Sequence, residues 1–242
     1  RIICGDCTDR AVVERVMGRE KANMLLTDPP YGVSYADKNK WLNAVAFGNR
    51  IQTPIENDHE DIADTAKNLW LPSFSRAFEC CCDTSSFYLF MPQGGDQMMM
   101  MMMMNDAGWM PRHELIWVKN NHVLGRADYN YKHEPILYGW KRKGTHKFYG
   151  DFQTSVIECN KPHNSDLHPT MKPVELIERL VPNNTQVGEI VYEPFSGSGT
   201  TLIACDNLSR KCRAIEISPA YVAVAIQRWV DVTGKEPILL DA

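Results

Sequence analysis

The 242-residue sequence contains no run of about 18 apolar residues, the length that crosses a bilayer, and no charged-then-apolar leader before its first apolar stretch. A soluble, cytoplasmic protein without a membrane partner is therefore expected. It also lacks a cysteine framework: of eight cysteines, Cys80, Cys81 and Cys82 are consecutive and the rest are scattered, so reduced thiols are expected rather than disulfides. Cys4 and Cys7 form a Cys-x-x-Cys with no second pair after it, and no metal site is expected. There is no excess of positive charge, because the net charge is −4, which excludes a uniformly basic coat. Internal repeats are absent, and one low-complexity feature, seven methionines from Met98 to Met104, interrupts an otherwise varied sequence.

What is present is unevenly distributed. Between Pro111 and Gly150 eight Lys/Arg face three acids, among four histidines and seven aromatics that include Trp117, Tyr129, Tyr131, Tyr138 and Trp140. Basic charge interleaved with aromatics suits a surface that tracks phosphates and contacts bases. The basic residues expected at such a surface are Lys119, Arg126, Lys132, Lys141, Arg142 and Lys143, although a solvated face would also carry such a charge run.

Apolar runs that alternate with helical patterns predict an α/β fold with a largely parallel sheet. Ala22 to Leu26 reads as a buried strand ending in Thr27-Asp28-Pro29-Pro30-Tyr31, and 32–57 as a long mobile loop. A helix is expected over about 61–78, a strand over 86–91, a helix through the methionines over 95–107, and a strand over 114–119. Nearer the C-terminus, a helix over 174–181 precedes strand 189–192, helix 200–208, strand 212–217 with Glu216, and helix 219–232. The methionine run shows no apolar face, so its register on the sheet cannot be read.

Two motifs carry chemistry. In Glu193-Pro194-Phe195-Ser196-Gly197-Ser198-Gly199-Thr200 the glycines let a backbone turn approach a ligand, and the following helix starts with free N–H groups. No lysine sits there, so it is not a Walker loop, and it departs from Gly-x-Gly-x-x-Gly. Glu216, at the end of the next strand, stands where an acid holds ribose hydroxyls, and a nucleoside ligand without pyrophosphate fits better than a dinucleotide. Asp28-Pro29-Pro30-Tyr31 suits an amine conjugated to a ring. The Asp28 carboxylate and the Pro29 carbonyl can accept its two N–H bonds, Pro30 stiffens the turn, and Tyr31 can stack on the base. A strand-ending turn with a packed tyrosine is the plainer alternative for the tetrapeptide alone.

Asp-Pro-Pro-Tyr, a basic segment, His168-Pro169-Thr170-Met171-Lys172-Pro173 and Phe-x-Gly-x-Gly-Thr, in that order, resemble the permuted β-group of amino-methylating DNA methyltransferases. The likeness covers nearly the whole chain and includes Gly5-Asp6, Ile116-Trp117-Val118-Lys119 and His133-Glu134-Pro135-Ile136-Leu137. It implies a seven-stranded, Rossmann-like class I methyltransferase fold with a circularly permuted motif order and a small target-recognition insertion over 120–166. It also implies S-adenosylmethionine as cofactor. Asp6 would meet its adenine, Glu216 its ribose, and Phe195, Ser196, Gly197, Ser198, Gly199 and Thr200 its body. Thr170 and Lys172 would meet its methionine end and Glu193 its amine, with Asp28 and His168 completing the set. Glu193 replaces the usual aspartate.

The implied reaction is methyl transfer to adenine N6 in double-stranded DNA, on a base swung out of the duplex. Asp before Pro-Pro-Tyr resembles the adenine enzymes more than the cytosine-N4 enzymes. Methylation at cytosine carbon 5 needs a nucleophilic cysteine, usually after proline, and no proline here precedes a cysteine. A catalytically idle DNA-binding module of the same fold is the alternative from another class. The opening at Arg1 is similar to family members fused behind a ParB-like domain, and the family is commonly homodimeric.

Overall fold

A computed structural model describes residues 1–31, 61–120, 128–142, 144–160 and 171–240. The expected loop over 32–57, with His168, Thr170, Arg126 and Lys143, lies outside them. The chain starts with β1 (Ile2–Cys4), α1 (Arg10–Met17) and β2 (Ala22–Thr27). A short helix α2 (Ile62–Thr65) runs through a wide π turn (Ala66–Trp70) into α3 (Leu71–Cys80), which leads directly to β3 (Cys81–Phe90). Next come α4 (Gly95–Asp106), β4 (Trp109–Val118), β5 (His133–Lys141) and β6 (Val156–Glu158). The C-terminal part is α5 (Val174–Asn184), β7 (Ile190–Glu193), α6 (Thr200–Asn207), β8 (Lys211–Glu216) and α7 (Pro219–Thr233).

The strands form one sheet in the order β1-β8-β7-β2-β3-β5-β4-β6. From β1 to β3 every neighbouring pair is parallel, while β5 runs antiparallel to both β3 and β4. Eight strands pair among the described residues, one more than expected. Both β5 and the edge piece β6, which is parallel to β4, fall within 120–166, where the sequence predicts no strand. β5 is the larger departure from expectation: its sequence, basic and aromatic, reads as part of an insertion, yet it lies inside the sheet between β3 and β4. The charges at its ends obscure a strand whose centre, Pro135 to Gly139, is buried.

The sheet has an apolar core on each face. Trp70 and Phe74 from the helical stretch before β3 pack there with Val13, Val16, Trp109 and Phe87. The opposite core joins Leu176, Leu180 and Val181 of α5 and Ala204 of α6 to Met24, Leu26 and Trp117. The methionine run is helical, and its register is now visible: Met100 and Met104 are buried four residues apart, while Met98 and Met102 face out.

β7 and β2 lie side by side, with Met24 level with Val191 and Leu25 level with Tyr192. On one side of this pair the chain passes from β7 through α6 to β8; on the other, β2 leads to β3. Such a reversal of strand order opens a crevice at the carboxyl ends of the strands, where open α/β sheets bind ligands. Asp28-Pro29-Pro30-Tyr31 and the glycine loop leave from adjacent strands at that edge.

Candidate active site

The two motifs are tied together by Glu193. Its Oε1 accepts from Thr27 Oγ1 of β2 at 2.8 Å and from the Phe195 N–H at 3.1 Å, and its Oε2 accepts from Thr201 Oγ1 of α6 at 3.1 Å. The carboxyl is 3% exposed, and burial holds its pKa well above the usual carboxylate range although all three hydrogen bonds pull it down. The longer side chain at this position therefore serves as a clamp between β2, the loop and the helix. That use occupies both oxygens, which the expectation of a cofactor contact did not anticipate.

After the clamp, Ser196, Gly197, Ser198 and Gly199 turn tightly: the Ser196 N–H donates to Ile215 O and the Gly199 N–H to Ser196 O, at 2.9 and 3.0 Å. Gly199 has φ +80°, and a Cβ there would stand 2.7 Å from Ala225 Cβ of α7, so both its conformation and its packing require glycine. Glu216 receives the Gly197 N–H at 2.7 Å and the Ser218 N–H at 2.9 Å, which turns the acid at the end of β8 toward the loop. Asp6, exposed past β1, binds the Thr8 N–H and hydroxyl, both at 2.8 Å. The Ser196 hydroxyl is buried and has no hydrogen-bond partner among the described residues. A glycine-lined turn with a buried hydroxyl lacking a partner is what a polar ligand of the loop would complete.

Across the crevice, Tyr31 donates to Asp28 Oδ1 at 2.5 Å, and Lys172 pairs with Asp28 Oδ2. The turn between them is pinned from behind. Trp70 Nε1, in the π turn, donates to Pro30 O at 2.9 Å, so a wide helical turn next to the site fixes the proline pair. Lys172 Nζ is also 3.3 Å from Glu134 Oε2 at the start of β5, and Glu134 Oε1 is 3.1 Å from Lys119 Nζ. Thr200 Oγ1 donates to the Lys172 carbonyl at 3.4 Å, joining this row of charges to the start of α6.

Two lysines expected on a nucleic-acid surface are elsewhere. Lys119 is 3% exposed and held by Glu134, and Lys141 is 6% exposed, donating to Cys81 O at 2.6 Å over the Phe78 ring. At 3% and 6% exposure neither ammonium stands at the surface, where it would meet a phosphate. Arg142 is exposed but bound to Asn105, beside Lys141 at the end of β5 opposite Asp28. Lys132 is exposed just before β5, at the same end as Asp28, next to Tyr129 (85% exposed) and Tyr131.

Sequence reasoning missed Glu134, Trp70 and Arg228. An acid opening a strand within a basic segment was a signal for Glu134; for Trp70 in an apolar helix there was none. Arg228 of α7 donates to the Ser198 carbonyl and, at 2.9 Å, to Ser198 Oγ, bracing the loop from outside.

A family model described as DNA methylase, for the N6 and N4 enzymes, matches residues 22–227 and so takes in both motifs. The chain belongs to the N6/N4 DNA methylase family. The chain is 41% identical over 73 residues to the type II methyltransferase M.HpaI of Haemophilus parainfluenzae, covering 30% of this chain and 23% of that one. It is 26% identical over 148 residues to the DNA adenine methyltransferase YhdJ of Escherichia coli K12, covering 47% and 50%. The chain spans half or less of the length of these curated relatives. Among solved structures, the M1.HpyAVI–SAM complex superposes with a TM-score of 0.67 at 21% identity, covering 94% of this chain and 98% of that one. The PvuII cytosine-N4-specific methyltransferase gives 0.67 at 15%, covering 96% and 86%. At these identities the likeness establishes the Rossmann-like methyltransferase fold.

Proposed function

We propose that this methylase transfers a methyl group from S-adenosylmethionine to the N6 amine of an adenine swung out of double-stranded DNA. The observation that carries the reading is the side-by-side exit of Asp28-Pro29-Pro30-Tyr31 and the glycine loop from β2 and β7, which brings an amine acceptor next to a nucleoside-type loop. Gly197, Ser198, Gly199 and the unpartnered Ser196 hydroxyl suit the cofactor's body, Glu216 its ribose, Asp6 its adenine and Phe195 its apolar flank. When bound, S-adenosylmethionine supplies an electrophilic methyl group.

The chain's own residues prepare the nucleophile. An exocyclic amine is weak because its lone pair is delocalised into the ring. Asp28 and the Pro29 carbonyl accept its two N–H bonds, favouring the tetrahedral nitrogen that can attack. The Asp28 carboxylate is also placed to receive the proton that leaves once the methyl group has been transferred. Tyr31, fixed by its bond to Asp28, offers its ring to the base. Asp28, rather than serine, before the prolines favours adenine over cytosine. For DNA, Lys132, Tyr129 and Tyr131 form the exposed basic and aromatic group at the site's end of the sheet. β5 belongs to the sheet, so the target-recognition part of 120–166 is assigned to the stretches flanking that strand.

Incubation with labelled S-adenosylmethionine and unmethylated genomic DNA, followed by nucleoside digestion, tests the proposal. Label in N6-methyladenine supports it; label in N4-methylcytosine overturns the base assignment. Asp28→Ala should lower turnover at least about a hundredfold, the low end of what general acid–base groups contribute, while DNA affinity stays within a few fold. A binding module without turnover would show no label before or after the substitution.

A further inference from the structure

We propose that Glu134 is a positioning residue for Asp28: it acts through Lys172, whose ammonium it takes over when a substrate amine occupies the Asp28 carboxylate. This rests on the reading of Asp28 as the amine acceptor. Both Asp28 oxygens are engaged in the structure, Oδ1 by the Tyr31 hydroxyl and Oδ2 by Lys172. A base amine that needs this carboxylate meets a cation already on it, which weakens it as an acceptor. Lys172 has a side chain only 11% exposed, so a second anion within reach lowers the cost of moving its ammonium off Asp28. Glu134 provides that anion, with Oε2 3.3 Å from the same Nζ, so the ammonium changes partner by a small displacement and stays paired. The Phe90 ring, 4.9 Å from Nζ, flanks the path with a face that also favours a cation.

Glu134 is itself held in place. Its Oε1 is 3.1 Å from Lys119 Nζ, and the Lys119 side chain is 2% exposed. Asp28, Lys172, Glu134 and Lys119 thus alternate in sign, with two charges of each kind. Neutralising Glu134 removes one of the two carboxylates around Lys172 and leaves its ammonium drawn to Asp28 alone of that pair.

The test separates positioning from folding. Glu134→Gln should lower kcat by about tenfold or more while the Kd for S-adenosylmethionine changes less than about twofold, the pattern of an interaction that matters in the transition state. Because this variant strands Lys119, its melting temperature should also fall; adding Lys119→Met should restore the melting temperature without restoring kcat. Wild-type kcat in Glu134→Gln, or kcat recovering together with stability in the double variant, would overturn the proposal. A second arm needs no turnover: trace acylation of Lys172 with acetic anhydride, read by mass spectrometry. Lys172 should react at close to the wild-type rate in Asp28→Asn and in Glu134→Gln, and about tenfold faster when both are changed, because each carboxylate favours the charged form of a neighbouring amine. Full reactivity in Asp28→Asn alone would show that Glu134 does not hold the ammonium. Absence of methyl transfer by the unmodified protein, with the acylation pattern intact, would count against the amine-methylating reading alone.

Discussion

Glu193 shows what one methylene can change. A carboxyl one carbon longer than the usual aspartate reaches back to Thr27 and across to Thr201, and becomes a buried joint between the two halves of the site. Burial raises its folded-state pKa above that of the unfolded chain, so the folded protein binds more protons than the unfolded one once the pH passes about 4.3, the ordinary glutamate value. Stability contributed at this residue is present below that pH and is lost as pH rises toward the elevated folded value. Glu193→Gln keeps an oxygen for Thr27 and Phe195 and removes the titration. Melting temperatures from pH 4 to 8 should therefore show the wild type losing ground to Glu193→Gln as pH rises. Parallel curves for the two proteins would show that Glu193 binds its proton equally in the folded and unfolded chains, and that burial does not raise its pKa.

At the level of elements, the strands and turns that build the crevice were legible in the sequence, because each announces itself locally: an apolar run ending in Asp-Pro-Pro, and a glycine loop between a strand and a helix. β5 was not, since it opens with His133-Glu134 and ends with Trp140-Lys141, and only pairing with β3 and β4 explains its place. Nor were the fates of Lys119 and Lys141, whose partners Glu134 and Cys81 lie 15 and 60 residues away. The glycine loop allows a matched test of turn against ligand site. Gly199 and Gly188 both have positive φ, +80° and +81°, but a Cβ meets Ala225 at the first and nothing within 4 Å at the second. Gly188→Ala should cost about 1 kcal/mol of conformational strain and leave cofactor affinity unchanged. Gly199→Ala adds overpacking against α7, so it should cost roughly 2–4 kcal/mol by thermal unfolding and weaken S-adenosylmethionine binding in calorimetry. Equal affinity in the two variants would place the ligand away from this loop.

Across the whole molecule, the basic segment that reads as one patch in sequence is divided between two edges of the sheet. β5 carries the chain from His133, at the carboxyl edge with Asp28, to Lys141 at the far edge, eight steps of about 3.4 Å or roughly 27 Å. Lys132, Tyr129 and Tyr131 stay with the site, while Arg142 goes with the far edge and is bound there to Asn105. A flipped base has to arrive at Asp28, so the flanking phosphates lie nearest to the first group. Substituting Lys132 by alanine should weaken DNA binding at every sequence and reduce the slope of log K against log salt by about 1, the mark of one lost phosphate contact. Arg142→Ala should leave both affinity and slope unchanged. Fluorescence-anisotropy titrations of a short duplex at several salt concentrations measure the two quantities together. If Arg142→Ala flattens the slope as much as Lys132→Ala, the duplex reaches the far edge, and the segment works as one surface after all.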